Sequence, residues 1–292
     1  LNETALNRPH HDGVCGKLSL RFESDGELTR LQACEQQPPL RVVRAFPIAD
    51  GGALIHLHNL SGGVLGGDRL EFNLEAGPNC YVQLTTTGAT RVYRSRSDAA
   101  AALQHTEIKL AANALLEYLP DPVIPFAGSR YRQETNIELT TGAGLFWWET
   151  LAPGREAHGE VFAYDLLENG VSIAVDGIPI ALERYRLEPH LRPLTSPARM
   201  DRYRYLTTFY ICRVGLEGAR WLALEMELAE MAQQFTEPQQ TLWGVSTLPA
   251  HGLAVRGLSR AGHDIPATLR AFWRAASLVL YGRETMPPRK VY

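Results

Sequence analysis

Polar and apolar residues alternate from Lys17 onward, with Leu18, Leu20 and Phe22 on one side and Lys17, Ser19, Arg21 and Glu23 on the other. A period of two over this length marks a strand with one wet face, and Ser24-Asp25-Gly26 ends it. The same reading predicts strands over 40–46, 53–60, 70–75, 81–87, 103–110 and 131–139. Residues 115–119 and 145–148 are continuous apolar runs, as expected of strands buried on both faces. Residues 171–175 and 178–182 flank Asp176-Gly177, a pair that accepts the positive φ of a tight hairpin turn. Strand-like stretches over 202–214 and 253–258 follow.

Two stretches change the period. Over 219–235 the apolar positions Trp221, Leu224, Leu228, Met231 and Phe235 recur at helical spacing. Over 264–281 a second helix is predicted, with Asp264 as N-cap, Pro266 in the first turn and Gly282 as its stop. So many short strands, with two helices only in the C-terminal third, predict a mainly β protein. No linker rich in glycine and serine and no repeat of clear period is visible. One domain spanning 1–292 is expected, with residues 1–12 flexible and the ending after Pro287 extended.

Between two predicted strands lies Ser61-Gly62-Gly63-Val64-Leu65-Gly66-Gly67-Asp68-Arg69-Leu70. Clustered glycines mark backbone that turns sharply or approaches something closely. A phosphate loop would need a lysine and a following helix. Here Gly67 leads to an aspartate, which repels phosphate, so no bound nucleotide is expected. Asp68 could be a structural bracket or a working carboxylate.

Composition narrows the classes. A formal net charge of −3 supplies no electrostatic footprint for nucleic acid or an anionic membrane. No apolar run approaches the roughly 20 residues that span a bilayer. The first residues lack a basic stretch followed by an apolar one, so no leader peptide is expected. Cys15, Cys34, Cys80 and Cys212 are widely spaced and form no C-x-x-C pair, which fits a reducing, cytoplasmic location.

Candidate chemistry is sparse. His56 and His58 sit two apart on a strand, so both point to one face and could share a metal. Carboxylates recur at element ends, among them Asp68, Asp121, Glu149, Glu160 and Asp176, and two of them could serve a β-rich carbohydrate-active hydrolase if they stood about 5–10 Å apart. Glu117 and Glu149 follow apolar segments, where burial raises a carboxyl pKa unless a cation such as Arg155 pairs with it. There is no nucleophile elbow and no Ser-His-Asp order.

Taken in order, several motifs resemble those of the UreD (or UreH) family of urease accessory proteins. They are the opening strand from Gly16 with Pro39-Leu40-Arg41-Val42, the complete G-G-x-x-G-G-D-x-L at 62–70, and Thr85-Thr86-Thr87-Gly88-Ala89-Thr90-Arg91-Val92-Tyr93-Arg94-Ser95. Glu117-Tyr118-Leu119-Pro120-Asp121-Pro122, then Trp148-Glu149, Gly154-Arg155 and Gly159-Glu160, the final helix and Pro288-Arg289 complete the series. Gly88 stands where the family has a bulkier polar residue, and Arg91 where it usually has lysine.

The resemblance implies a β-helix-like stack of strands and a maturation factor that is not an enzyme. It implies binding to urease apoprotein together with a UreF-type helical partner and a UreG-type GTPase. Nickel, held transiently, would pass through an internal channel. Asp68, Glu149 and Glu160 are then expected along the nickel route, with Arg155 holding one acid in place and His56 as a transient ligand.

Overall fold

A computed structural model of the chain describes residues 13–96 and 98–288. The segment expected to be flexible (1–12), its His10-His11 pair, and the ending from Arg289 onward lie outside the described residues.

The alternating stretch from Lys17 forms β1 (Cys15–Ser24), which turns back as β2 (Thr29–Gln37). The expected strand over 40–46 is broken into β3 (Leu40–Arg41) and β4 (Ala45–Pro47), both paired with β5 (Ala53–Asn59). From β5 the chain winds between two sheets. It passes through β6 (Arg69–Ala76), β7 (Tyr81–Thr86), the short β8 (Thr90–Val92), β9 (Ala102–Leu110), β10 (Leu115–Tyr118), the short β11 (Val123–Pro125), β12 (Arg130–Leu139), β13 (Gly144–Leu151) and β14 (Leu166–Val175). Strands β6, β9, β12 and β14 run parallel in one sheet, and β5, β7, β10 and β13 run parallel in the other. Each coil therefore gives one strand to each sheet, as the β-helix-like expectation required.

The winding ends where Asp176 and Gly177, at φ of 48° and 79°, close the expected hairpin onto β15 (Ile178–Leu187). The chain then returns to the second sheet as β16 (Tyr205–Arg213), antiparallel to β13. Helix α1 (Gly218–Phe235), β17 (Thr241–Thr247), β18 (Gly252–Ser259) and α2 (Ile265–Tyr281) follow. The seven-stranded first sheet runs β15-β14-β12-β9-β6-β1-β2, and the second runs β17-β18-β16-β13-β10-β7-β5-β3.

The burial of each sheet explains its residue pattern. Leu18, Leu74, Ile108, Ile137 and Ile173 of the first sheet meet Ile55, Leu84, Leu116 and Trp147 of the second in a shared core. The first sheet's other face is wet, hence its alternation. On the second sheet's outer face Phe146, Trp148, Phe209 and Val255 pack against Trp221 and Leu228 of α1 and Leu269, Phe272 and Trp273 of α2. Strands β10 and β13 are covered on both sides, and their sequences are accordingly apolar apart from Glu117 on the first and Glu149 and Thr150 on the second.

Asp264 stands at the N-cap of α2, as expected, but its side chain makes no capping hydrogen bond. It accepts from the Ser259 hydroxyl (3.2 Å), because a short 3-10 turn over Gly262–Asp264 already leads into the helix. Gly282 does stop it, at φ 64°.

The coils form an internal repeat that the sequence pattern did not reveal. On one side the sheets are joined by short turns at 77–80, 111–114 and 140–143, which stack in register. The Asn79 N–H donates to the Ala112 carbonyl and the Asn113 N–H to the Thr141 carbonyl (each 3.0 Å). The Asn113 side-chain amide donates to Asn79 Oδ1 (3.3 Å). Asn79, Asn113 and Gly142 share positive φ (57°, 59° and 72°). A Cβ at Gly142 would lie 2.0 Å from Asn113 Oδ1. The connections on the opposite side are long and unequal, which hides the period.

Candidate functional site

Those long connections carry the family-like motifs, and the structure stacks them on one rim. Val64 of the glycine cluster bridges Val92, and the Tyr93 N–H donates to the Val64 carbonyl (2.8 Å). The Ser95 N–H donates to the Gly128 carbonyl (3.0 Å) and the Gly128 N–H to the Ala163 carbonyl (2.9 Å). The glycines answer to this stacking: a Cβ on Gly63 would come within 2.4 Å of the Tyr93 ring.

Asp68 closes the first rung. Its Oδ1 accepts from the Val14 N–H (2.9 Å) and its Oδ2 from the Leu65 N–H (2.8 Å), and it is buried. Two backbone amides thus occupy the carboxylate, which clamps the cluster onto the entry to β1. Asp68→Ala, by leaving both half-buried amide donors without their acceptor, is expected to cost about 1–2 kcal/mol, read as a lowered denaturant midpoint.

Glu160 is a surface acid three rungs away. Arg155 Nε donates to its Oε2 (2.9 Å), the Ala127 N–H donates to the same oxygen (3.1 Å), and the guanidinium lies 4.3 Å from the Phe126 ring centroid. The Arg155 pair holds the Glu160 carboxyl below its ordinary pKa. Arg155 therefore does hold an acid in place, and that acid is Glu160 rather than Glu117 or Glu149. His56 stands on β5, edge-to-face with Phe46 at 5.7 Å.

Glu149 is placed differently. On β13 it points inward, between the sheets, at the level nearest the long connections. There the inward positions are polar: Gln104 and Thr106 of β9, Gln133 and Thr135 of β12, Asn169 of β14, and Glu183 and Tyr185 of β15. Strand register makes this a layer, since Gln104 pairs with Gln133, Gln133 with Asn169, and Asn169 with Tyr185. Gln133 donates to Glu149 Oε1 (2.5 Å) and Asn169 to Oε2 (3.1 Å). Burial pushes the Glu149 carboxyl up to about 7, against the pull of the Asn169 and Gln133 hydrogen bonds.

This layer surrounds a cavity of about 60 Å³ whose walls also include Asp121 and Thr208. At about 30 Å³ per water it admits a few waters or an ion but no sugar ring. A glycosidase needs its substrate between its acids, so the hydrolase reading finds no support in this geometry. A second cavity of about 270 Å³, bounded by His58, Thr86, Arg91 and the glycine cluster, shares Thr90, Gln104 and Tyr118 with the first. Of the expected residues, Glu149 lies in the inner cavity and Glu160 in a surface hollow, while Asp68 and His56 line neither space. Among the described residues no three His, Cys, Asp or Glu side chains stand together as a metal site. The partners of Glu149 escaped the sequence reading, although glutamine, asparagine and threonine at inward positions of otherwise aliphatic strands were a visible signal.

Glu117 is a second buried carboxylate, on the outer face of β10 beneath α2. It accepts from Tyr81 Oη (3.0 Å), Gln83 Nε2 (2.9 Å) and Trp273 Nε1 (3.1 Å). Burial raises its pKa despite these donors and the nearby Arg283 guanidinium, which lies over the Tyr81 ring.

Stacked coils, a motif-bearing rim and a polar layer inside define a two-sheet β-solenoid, with no helix long and apolar enough to cross a membrane among the described residues. A family model described as UreD urease accessory protein matches residues 14–292. The chain is 48% identical over 289 residues to a urease accessory protein UreD of Herpetosiphon aurantiacus, covering 99% of both chains. It is 32% identical over 286 residues to one of Pseudomonas aeruginosa, covering 96% of this chain and 95% of that one. A Nostoc relative of the same name is 41% identical over 188 residues, covering 63% of this chain and 66% of the relative. The chain belongs to the UreD family of urease accessory proteins, and its role is in urease maturation.

Proposed function

We propose that this chain delivers nickel to urease apoprotein in the cytoplasm, in a complex with a UreF-type helical protein and a UreG-type GTPase, and that the ion travels between the two sheets. The observation that carries the reading is the polar layer around Glu149, set in a core that is otherwise aliphatic. Polar groups at core positions cost stability. A layer lined by the carboxylates of Glu149 and Glu183, amide oxygens and hydroxyls suits a hydrated divalent cation in transit. Nickel accepts oxygen ligands, and transfer requires weak successive sites rather than a closed one. The shared wall of Thr90, Gln104 and Tyr118 makes the two cavities successive stations. Asp68 and Glu160, which hold the rim, would support the entrance from outside the route.

The test is a block at that shared wall. In cells co-expressing urease and its accessory proteins, Gln104→Trp is expected to lower the nickel content of purified urease at least tenfold while the accessory complex still assembles. Unchanged nickel content with the complex intact would leave a scaffold without a metal path. Unchanged nickel content after deletion of the whole chain would overturn the maturation role itself.

A further inference from the structure

Beyond the nickel route, the molecule has a second feature whose chemistry is unused: a groove at the end of the solenoid where β15 and β17, the last strands of their sheets, stand apart. Its volume is about 790 Å³, inside the range of about 300–1,000 Å³ typical of binding clefts.

The floor is aliphatic. Leu206 of β16, Leu258 of β18 and Leu242 of β17 are register partners and form one row across the second sheet. The row becomes more exposed outward, and Leu242 at the edge is 46% exposed. Leu187 and Tyr185 of β15 face it from the first sheet, and Leu194 and Met200 of the β15–β16 connection close the end.

The rim is basic. Arg186, Arg192, Arg199 and Arg256 line it against one acid, Glu188. Arg256 is bound to Glu183, and Arg186 to Glu168 and Glu188. Arg192 and Arg199 are exposed; Arg192 lies near Glu188, whose carboxyl Arg186 chiefly and Arg192 also hold below its ordinary pKa, and Arg199 has no ion pair among the described residues. The bias is local. Residues 184–204 contain Arg184, Arg186, Arg192, Arg199, Arg202 and Arg204 against Glu188 and Asp201, six cations to two anions, in a chain whose net charge is −3.

We infer that this groove is a docking site for an acidic segment of a partner protein that carries aliphatic side chains. Charge complementarity selects the sign of the partner: an exposed excess of arginines attracts carboxylates, steers the encounter and holds the rim. The leucine row selects its class. A nucleic acid satisfies the arginines but has no aliphatic groups to cover Leu242 and Leu258, whereas an acidic peptide with leucine-sized side chains satisfies both. This inference stands apart from the nickel reading and survives its failure.

The test uses the full chain and a fluorescein-labelled peptide of alternating leucine and glutamate, followed by anisotropy. Binding is expected, and Leu242→Asp or the double change Arg192→Glu/Arg199→Glu is expected to weaken it at least tenfold. A peptide with serine replacing leucine is expected to bind at least tenfold more weakly. All three substituted residues are exposed, so melting curves should match those of the parent chain. If a variant melts early, protection of the β17 amides from hydrogen exchange by the peptide in the parent chain supplies the same reading. Equal binding of the serine peptide, equal or tighter binding of a uridine oligonucleotide of matching charge, or no peptide binding would each overturn the inference.

Discussion

Glu149→Gln is expected to make the protein more stable above neutral pH and, at the same time, to impair nickel-dependent activation of urease at least tenfold. The two effects have one cause. The carboxyl of Glu149 has a folded-state pKa raised to about 7 from an ordinary 4.5. A group whose pKa rises on folding binds its proton more tightly in the native state. Its contribution is therefore fully present below about pH 4.5 and is lost as pH climbs through 7, where the cavity must hold an anion. Glutamine keeps the shape and one acceptor for Gln133 or Asn169 but never acquires the charge. The variant should match the parent near pH 4.5 and exceed it at pH 8 by roughly 2–3 kcal/mol, measured by denaturant unfolding at both pH values. Transport would suffer because the cavity loses the carboxylate that Gln133 and Asn169 hold, leaving only Asp121, Glu168 and Glu183 on its walls. A gain in stability with a loss of function separates a working carboxylate from a structural one. Should the variant be less stable at pH 8, or activate urease normally, the role given to Glu149 fails.

Glu117→Ala should have the opposite signature: a loss of about 3–5 kcal/mol and no specific effect on transfer at temperatures where the fold survives. Three donors from two elements converge on this carboxylate: Tyr81 and Gln83 of β7 and Trp273 of α2. Gln83 also donates to the Met286 carbonyl (3.1 Å), so the segment after α2 is tied to the same point. Truncation strands these donors in a dry layer and leaves a void beneath Trp273. Glu117→Gln, which keeps one acceptor, should cost less than half as much. Urea titration followed by tryptophan fluorescence reads both, since Trp273 reports on the contact itself. A loss under 1 kcal/mol in the alanine variant would show that water replaces the carboxylate.

The sequence revealed most where burial imposes a strict pattern. The alternation around Leu18, Leu20 and Phe22 and the unbroken runs ending at Leu119 and Trp148 placed three strands with their exposures, because one-faced and two-faced burial leave different periods. Strands β2 and β17 went unseen. They are sheet edges, and β2 is exposed along almost its whole length, so neither carries a regular stripe. The separation of the four site candidates could not be read either. Whether Asp68, Glu149 and Glu160 meet depends on coil register and on which way each connection folds. Register sends Glu149 into the core, while backbone amides capture Asp68 and Arg155 captures Glu160.

The two kinds of connection also set how this architecture tolerates changes of length. On the side of Asn79, Asn113 and Gly142 each turn is hydrogen-bonded to the next and Gly142 has no room for a side chain against Asn113, so one added residue would break the stacking of every later coil. The opposite rim carries unequal connections already, each tied to its neighbours at only a few backbone atoms. Chain can be gained or lost there without shifting a strand. A solenoid built this way can rework the surface it offers to other proteins while its interior stays in register.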